Sequence, residues 1–420
     1  MIKRFRIPFF DLVASLSDAM DLVTLNLANH HNRVAYIAAS IADEYGLTKD
    51  DQDDLLFAGV LHDIGALSRK ERIDTLTFHT EHQDKHSELG YLVLKQLQPL
   101  SGVASIIRHH HVSWANGEGC ECQGEQVLFG SHILRLADRV DVLIDRNQEI
   151  LQQVEPIRQK IRQWSGEMFM PELVEVFLAV SSRECFWFDI VSPSLKVTLS
   201  SMVGLEATEL DIDELIDLSN LFRQIIDFRS RFTAAHSSGV ASCAEALAKL
   251  ADFSGRECKM MRVAGYLHDL GKLAVPTEIL EKSGKLTADE FNIVKTHPFL
   301  GFRLLEPVRD LDVINAWASF HHERMDGTGY PFHHDAANLP LGSRIVAVAD
   351  VYTALAEDRP YRRGLDQSES LRLLRSMGNE GKLDMEIVSS LSEQADEVDS
   401  KRLAAQAPAE SEYERLLEEL

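Results

Sequence analysis

The chain has 420 residues, of which 45% are hydrophobic and 26% charged. That is the composition of a globular protein and more length than one hydrophobic core usually serves. A formal net charge of -23 excludes broad binding to a nucleic acid polymer or an anionic membrane, since both need a basic surface; a small anion can still bind locally.

In chain order, Met1-Ile2-Lys3-Arg4-Phe5-Arg6-Ile7-Pro8 is basic and apolar, but Asp11, Asp18 and Asp21 interrupt the run before it makes a signal segment. Nowhere does a charge-free apolar run reach the roughly 18 residues of a membrane span. The five cysteines are an odd number and fit reduced thiols in a cytoplasmic protein. Ten of the 17 histidines precede position 140; of these His30, His62, His86, His110 and His111, together with Asp63 and Asp138, are candidate metal ligands. Cys120 and Cys122 are one residue apart, miss the usual metal-binding gap and have no second pair, so they read as surface-loop thiols. Residues 146–215 are expected to form a helical connection, or to complete the first domain. Their best strand signal, Phe186 to Val191, equally suits a buried helical turn.

The remaining histidines lie between positions 236 and 334, and aligning the two clusters exposes a duplication. His30 and His62 are 32 positions apart, as are His236 and His268; Ala58 to Gly65 aligns with Ala264 to Gly271 without a gap. From His86 to the pair His110-His111 is 24 positions, as from His297 to His321-His322, and Gly130 to Asp138 aligns with Gly342 to Asp350. Apolar residues return every three or four, as at Val240, Cys243, Ala244, Leu247 and Leu250, which predicts helices. The expectation is an all-α chain of two tandem helical domains: 1–145, the connection 146–215, 216–395, and a charged, loosely packed helical tail over 396–420.

In the second repeat His236, His268, Asp269, His297, His321, His322 and Asp350 offer seven donors, more than one ion needs. Two ions bridged by Asp269 would use them, and imidazole with carboxylate suits Fe, Mn, Zn or Ni. Such a pair about 3.5–4 Å apart can hold a bridging hydroxide and clamp a phosphodiester for in-line attack. Lys272, three residues after Asp269, is placed to meet a phosphate oxygen as charge builds. Asp326-Gly327-Thr328-Gly329-Tyr330-Pro331 reads as a tight loop beside the His pair, with glycines for positive φ and Pro331 fixing the exit, able to present Tyr330 to a base or sugar.

The residues His268-Asp269-Leu270-Gly271-Lys272, His321-His322-Glu323, Asp326 to Pro331, and Ala349-Asp350 followed by Asp358-Arg359-Pro360-Tyr361-Arg362 resemble the HD-GYP family, a subgroup of the HD metal-dependent phosphohydrolases. The resemblance implies an all-helical fold of HD type and two divalent metals, Fe or Mn first, with Ni, Mg or Zn as alternatives. It implies metal ligation by the seven donors above and catalysis by Asp269 and Lys272. Lys272, Asp326, Gly327, Gly329, Tyr330 and Pro331 would bind substrate. The implied reaction is hydrolysis of cyclic di-GMP to the linear dinucleotide or GMP. Some relatives take a third metal through a Glu one turn before the first histidine; here that position is Phe232, which implies two metals.

Thr353 stands where the family often has Asp. The first repeat departs further: Ala66 replaces the lysine, and Trp114 to Gly119 lacks Tyr-Pro, so this half resembles the broader HD superfamily and is read as a possible second metal site. Paired HD and HD-GYP units also resemble bacterial proteins that degrade 3′,3′-cyclic GMP-AMP. The hybrid dinucleotide therefore stays open as substrate, as do a non-catalytic cyclic dinucleotide receptor and a homodimer.

Overall fold

The computed structural model describes residues 7–21, 29–66, 78, 84–203, 210–230, 233–358 and 362–420. Phe232 and residues 359–361, which figured in the sequence reading, lie outside them. Regular structure among the described residues is helical except for one hairpin, β1 (Glu121–Cys122) paired antiparallel with β2 (Glu125–Gln126). The all-α expectation is met.

Two compact units emerge. One contains residues 29–203; the other contains 210–419 together with helix α1 (Phe9–Asp21). α1 therefore departs from the expected grouping of 1–145.

The first unit starts with α2 (His30–Tyr45), α3 (Lys49–Leu61), α4 (Asp84–Leu94), α5 (Ser101–Arg108) and α6 (Phe129–Val142). It continues through α7 (Ile150–Gln163), α8 (Pro171–Val180), α9 (Glu184–Ile190) and α10 (Leu195–Met202). These later helices finish the first core: Tyr36 Oη donates to Asp189 at 2.9 Å. The backbone N–H groups of Trp114, Ala115 and Asn116 donate to the carbonyls of Met168, Glu167 and Gly166. The apolar run at Phe186 is the helical turn of α9, with Phe186 and Trp187 buried and Trp187 Nε1 donating to Ser181 O at 2.9 Å.

The second unit contains α11 (Ile212–Phe228), α12 (His236–Leu250), α13 (Gly255–Leu267), α14 (Thr277–Leu280), α15 (Ala288–Val294), α16 (His297–Leu305), α17 (Asp312–Ser319), α18 (Leu341–Ala356), α19 (Gln367–Asn379), α20 (Met385–Glu393) and α21 (Ala395–Glu419). Capping boxes start α11 (Asp211 with Glu214) and α13 (Ser254 with Glu257), each satisfying two backbone donors that a helix start leaves open. α1 rests against α16 and the 3-10 turn Leu270–Ala274.

One close approach is duplicated. A Cβ on Gly265 would lie 2.4 Å from Ala241 Cα, and one on Gly59 would lie 2.3 Å from Ala35 Cα. Only glycine lets the helix ending in the His-Asp pair press this closely on the helix that opens with the first ligand. The tail is not loosely packed. α21 buries Val398, Arg402, Gln406, Ala409 and Leu416, and its inward stripe was hidden in the sequence because Arg and Gln hold two of the core-facing positions.

Candidate metal centre

Six of the seven candidate ligands of the second repeat stand at a helix end or just past one. His236 opens α12, His268 and Asp269 follow α13, His297 opens α16, His321 and His322 follow α17, and Asp350 lies within α18. All seven come together. Asp269 Oδ2 is 3.2 Å from His268 Nε2 and its Oδ1 is 3.4 Å from His297 Nε2. His236 Nε2 is 3.2 Å from Asp350 Oδ1, and His322 Nδ1 is 4.0 Å from Asp350 Oδ2.

The outer nitrogens fix which edge of each ring faces inward. His268, His297 and His321 donate from Nδ1 to the carbonyls of Gly265, Val294 and Ala318, at 2.8, 2.7 and 2.6 Å. A neutral ring that donates from Nδ1 carries a lone pair on Nε2. The Nε2 atoms of His297 and His321 nevertheless face each other at 3.2 Å. Two lone pairs at that distance repel unless a cation lies between or beside them. Burial pushes His297 down to about 3 and His321 to about 4, so both rings are neutral at physiological pH. His268 Nε2 and Asp269 Oδ1 are buried without a hydrogen-bond partner. The donor set fits divalent metal on all of these grounds.

Lys272 Nζ donates to Asp269 Oδ2 at 2.6 Å. It also lines a cavity of about 600 Å³ with Ser230, Thr233, Lys282, Lys285 and Phe291, large enough for a nucleotide-sized ligand; Lys282 there is ion-paired with Glu290. Arg229 holds the lysine's turn by donating to the carbonyls of Lys272 and Val275.

The loop after the His pair divides in two. Tyr330 lies over His322 with ring centroids 4.9 Å apart, and its N–H donates to His322 O at 3.2 Å. Asp326 is exposed and its carboxylate accepts from Thr328 N and Oγ1, shaping the loop rather than reaching the ligands. Gly327 has φ +75°, as expected, whereas Gly329 is required by contact: a Cβ there would lie 2.4 Å from Glu323 Cα. Glu323, to which the sequence motifs give no role, is buried and accepts from the N–H groups of Phe332 (2.7 Å) and His334 (3.0 Å), tying the loop's exit to the His pair.

The first repeat assembles a parallel cluster. Asp63 Oδ1 is 3.2 Å from His86 Nε2 and 3.8 Å from His110 Nε2; His30 Nε2 is 3.6 Å from Asp138 Oδ1, and His62 Nε2 is 3.5 Å from Asp63 Oδ2. His111 Nε2 is 2.9 Å from His86 Nε2. His62 and His110 donate from Nδ1 to the carbonyls of Gly59 and Ile107, at 2.9 and 2.6 Å. Five converging atoms have no hydrogen-bond partner: His30 Nε2, His62 Nε2, His110 Nε2, Asp63 Oδ1 and Asp138 Oδ1. At about 1–3 kcal/mol each, together they would cost about as much as a domain's net stability, so the donor set fits a cation here as well.

Its surroundings differ. Ala66 stands in the lysine position, and α6 supplies arginines that the second repeat lacks. Arg139 donates to Asp138 Oδ2 at 2.5 Å, and Arg135 donates to His111 O and Ser113 Oγ. Cys120 is exposed and Cys122 partly so, in and beside the hairpin; neither belongs to the ligand groups.

Residues 27–143 and 220–387 each match a family model described as an HD domain. The chain is 30% identical over 381 residues to 3′3′-cGAMP-specific phosphodiesterase 1 of Vibrio cholerae, covering 89% of this chain and 88% of that protein. It is 27% identical over 421 residues to 3′3′-cGAMP-specific phosphodiesterase 3 of the same organism, covering 87% and 90%. A cyclic di-GMP phosphodiesterase of Pseudomonas aeruginosa is 42% identical over 142 residues, 34% of each chain. The crystal structure of a cyclic GMP-AMP-specific phosphodiesterase of Vibrio cholerae shares the fold, with a TM-score of 0.65 at 24% identity over 94% of this chain and 98% of that one. No described helix is long and apolar enough to cross a membrane. With two HD domains and both ligand clusters assembled, the chain belongs to the HD-GYP family of cyclic dinucleotide phosphodiesterases, with an additional HD domain on its N-terminal side.

Proposed function

We propose that the second repeat is the catalytic centre and that its substrate is 3′,3′-cyclic GMP-AMP. His236, His268 and Asp350 would hold one divalent ion, His297, His321 and His322 a second, with Asp269 between them; iron or manganese suits this mixed set. Such ions supply Lewis acidity toward phosphoryl oxygens and lower the pKa of water to make a nucleophile.

The chain's own residues do the rest. Lys272, between Asp269 and the cavity, meets the phosphate charge that grows as the P–O bond is cleaved. Lys285 gives the cavity a cation for the ring's other phosphate, while Lys282 is held by both carboxylate oxygens of Glu290, at 2.8 and 2.6 Å. Tyr330 offers an aromatic face beside His322 for a base or ribose. Hydrolysis adds one water across one phosphodiester and opens the ring to a linear dinucleotide. The first repeat, with its own donor set but no lysine in this place, is read as a metal centre that does not hydrolyse this substrate.

One observation carries the choice of substrate. The relatives that align over nearly the whole chain are named for cGAMP, whereas the cyclic di-GMP phosphodiesterase of Pseudomonas aeruginosa aligns over a third of it. This reverses the order in which the sequence motifs alone placed the two dinucleotides. Cleavage of both by protein purified without chelator is the test. A kcat/KM at least tenfold higher for 3′,3′-cyclic GMP-AMP is expected; the opposite ratio restores cyclic di-GMP, and cleavage of neither at full metal content points to a receptor.

A further inference from the structure

We propose that the C-terminal helix α21 is part of the metal centre's support, with Gln406 as a positioning residue for His236. His236 is the one histidine of the second cluster whose outer nitrogen is shown held by a side chain: Nδ1 donates to Glu357 Oε2 at 2.8 Å. Gln406 of α21 donates from Nε2 to the other oxygen, Glu357 Oε1. The orientation of the Gln406 amide follows from its other end, where Oε1 accepts from Arg402 Nη1 at 2.6 Å. Arginine only donates, so the amide nitrogen must face Glu357. Arg402 is fixed in turn by Asp399, which also accepts from Tyr352 Oη of α18 at 3.0 Å. His236, Gln406 and Arg402 are all buried.

The first repeat does the same task locally. His30 donates from Nδ1 to Asp141 Oδ2 at 2.6 Å, and Asp141, three residues after the ligand Asp138, is held by Arg33. The aligned residue of the second repeat is Thr353, which has no carboxylate. The acid is supplied instead from position 357, one turn further on, and steadied across a helix boundary by Gln406. Gly239 opens the path: a Cβ there would lie 2.7 Å from Gln406 Nε2 and 3.0 Å from Thr353 Cγ2. An outer carboxylate that orients a ligand imidazole also raises its basicity, and loss of such a partner typically weakens metal binding 10–100-fold. Through this path the seating of α21 sets the metal affinity of the first ligand.

The inference rests on metal binding at His236, and the test separates the two. Gln406→Glu keeps size and an acceptor for Arg402 but removes the donor to Glu357. Gly239→Ala displaces the Gln406 amide while favouring the helix it lies in. Tyr413→Ala removes a ring contact with Phe228 on the same tail helix and serves as the control. Mn²⁺ affinity is measured by chelator competition, the visible spectrum is recorded with Co²⁺, and the melting temperature of metal-free protein is taken alongside. Gln406→Glu and Gly239→Ala should each weaken binding about tenfold and alter the Co²⁺ spectrum, while Tyr413→Ala lowers the melting temperature with affinity unchanged. Wild-type protein that binds metal, with both variants matching it, overturns the role of Gln406 alone; wild-type protein that binds none overturns the metal reading as well.

Discussion

The two repeats place the same seven ligand types around the same kind of helical frame, and they differ in what surrounds the ligands. In the first, arginines of α6 close on the ligands from within the repeat, and Asp138 is engaged by Arg139. In the second, the cation is Lys272, positioned between Asp269 and a cavity of about 600 Å³. Ligand geometry therefore does not separate the two clusters. They differ in that the cation of the second, Lys272, also lines a cavity, whereas the arginines of the first are held by Asp138, His111 and Ser113.

Removing metal with a chelator should abolish turnover completely, with Mn²⁺ or Fe²⁺ restoring it; activity that survives full metal removal would end the comparison. Lys272→Ala should lower kcat/KM by about 100-fold, the scale of losing one preorganised donor to a developing charge, while metal content stays the same. A smaller effect concerns Asp227, buried beneath α12 and accepting from Ser237 Oγ at 2.7 Å. Burial raises it to about 6, against the opposing pull of Arg223. A carboxyl raised in the folded state adds stability below its unfolded value near 4 and loses it as pH rises through about 6. Asp227→Asn, which cannot ionise, should therefore be more stable than wild type above pH 6, by up to about 3 kcal/mol. Denaturant curves at pH 4 and pH 8 would show the gain only at the higher pH. Smallest of all, Cys120→Ser with Cys122→Ser should leave metal stoichiometry unchanged, since neither thiol joins a ligand group.

Much of the candidate centre was legible in the sequence because histidine is scarce and its spacing is duplicated; matched intervals from His30 to His62 and from His236 to His268 pick out residues that the fold brings together. The helical class followed from the apolar period. What escaped were partnerships between residues distant in sequence and ordinary in type. Glu357 and Gln406 are separated by 49 positions, and nothing local distinguishes either. α21 seemed loose because Arg402 and Gln406 occupy buried positions that a hydrophobic pattern would fill with leucine. Glu323 was visible beside the His pair, yet its buried hydrogen bonds to Phe332 and His334 depend on how the following loop folds back.

The central claim is that turnover belongs to the second repeat. The most direct measurement is hydrolysis of 3′,3′-cyclic GMP-AMP by His268→Ala/Asp269→Ala and by His62→Ala/Asp63→Ala proteins, with metal content quantified in the same samples. The first pair of changes should abolish cleavage while the first repeat keeps its metal, and the second pair should leave kcat within about threefold of wild type. Cleavage retained by the His268/Asp269 protein, or lost in a folded His62/Asp63 protein, would contradict it.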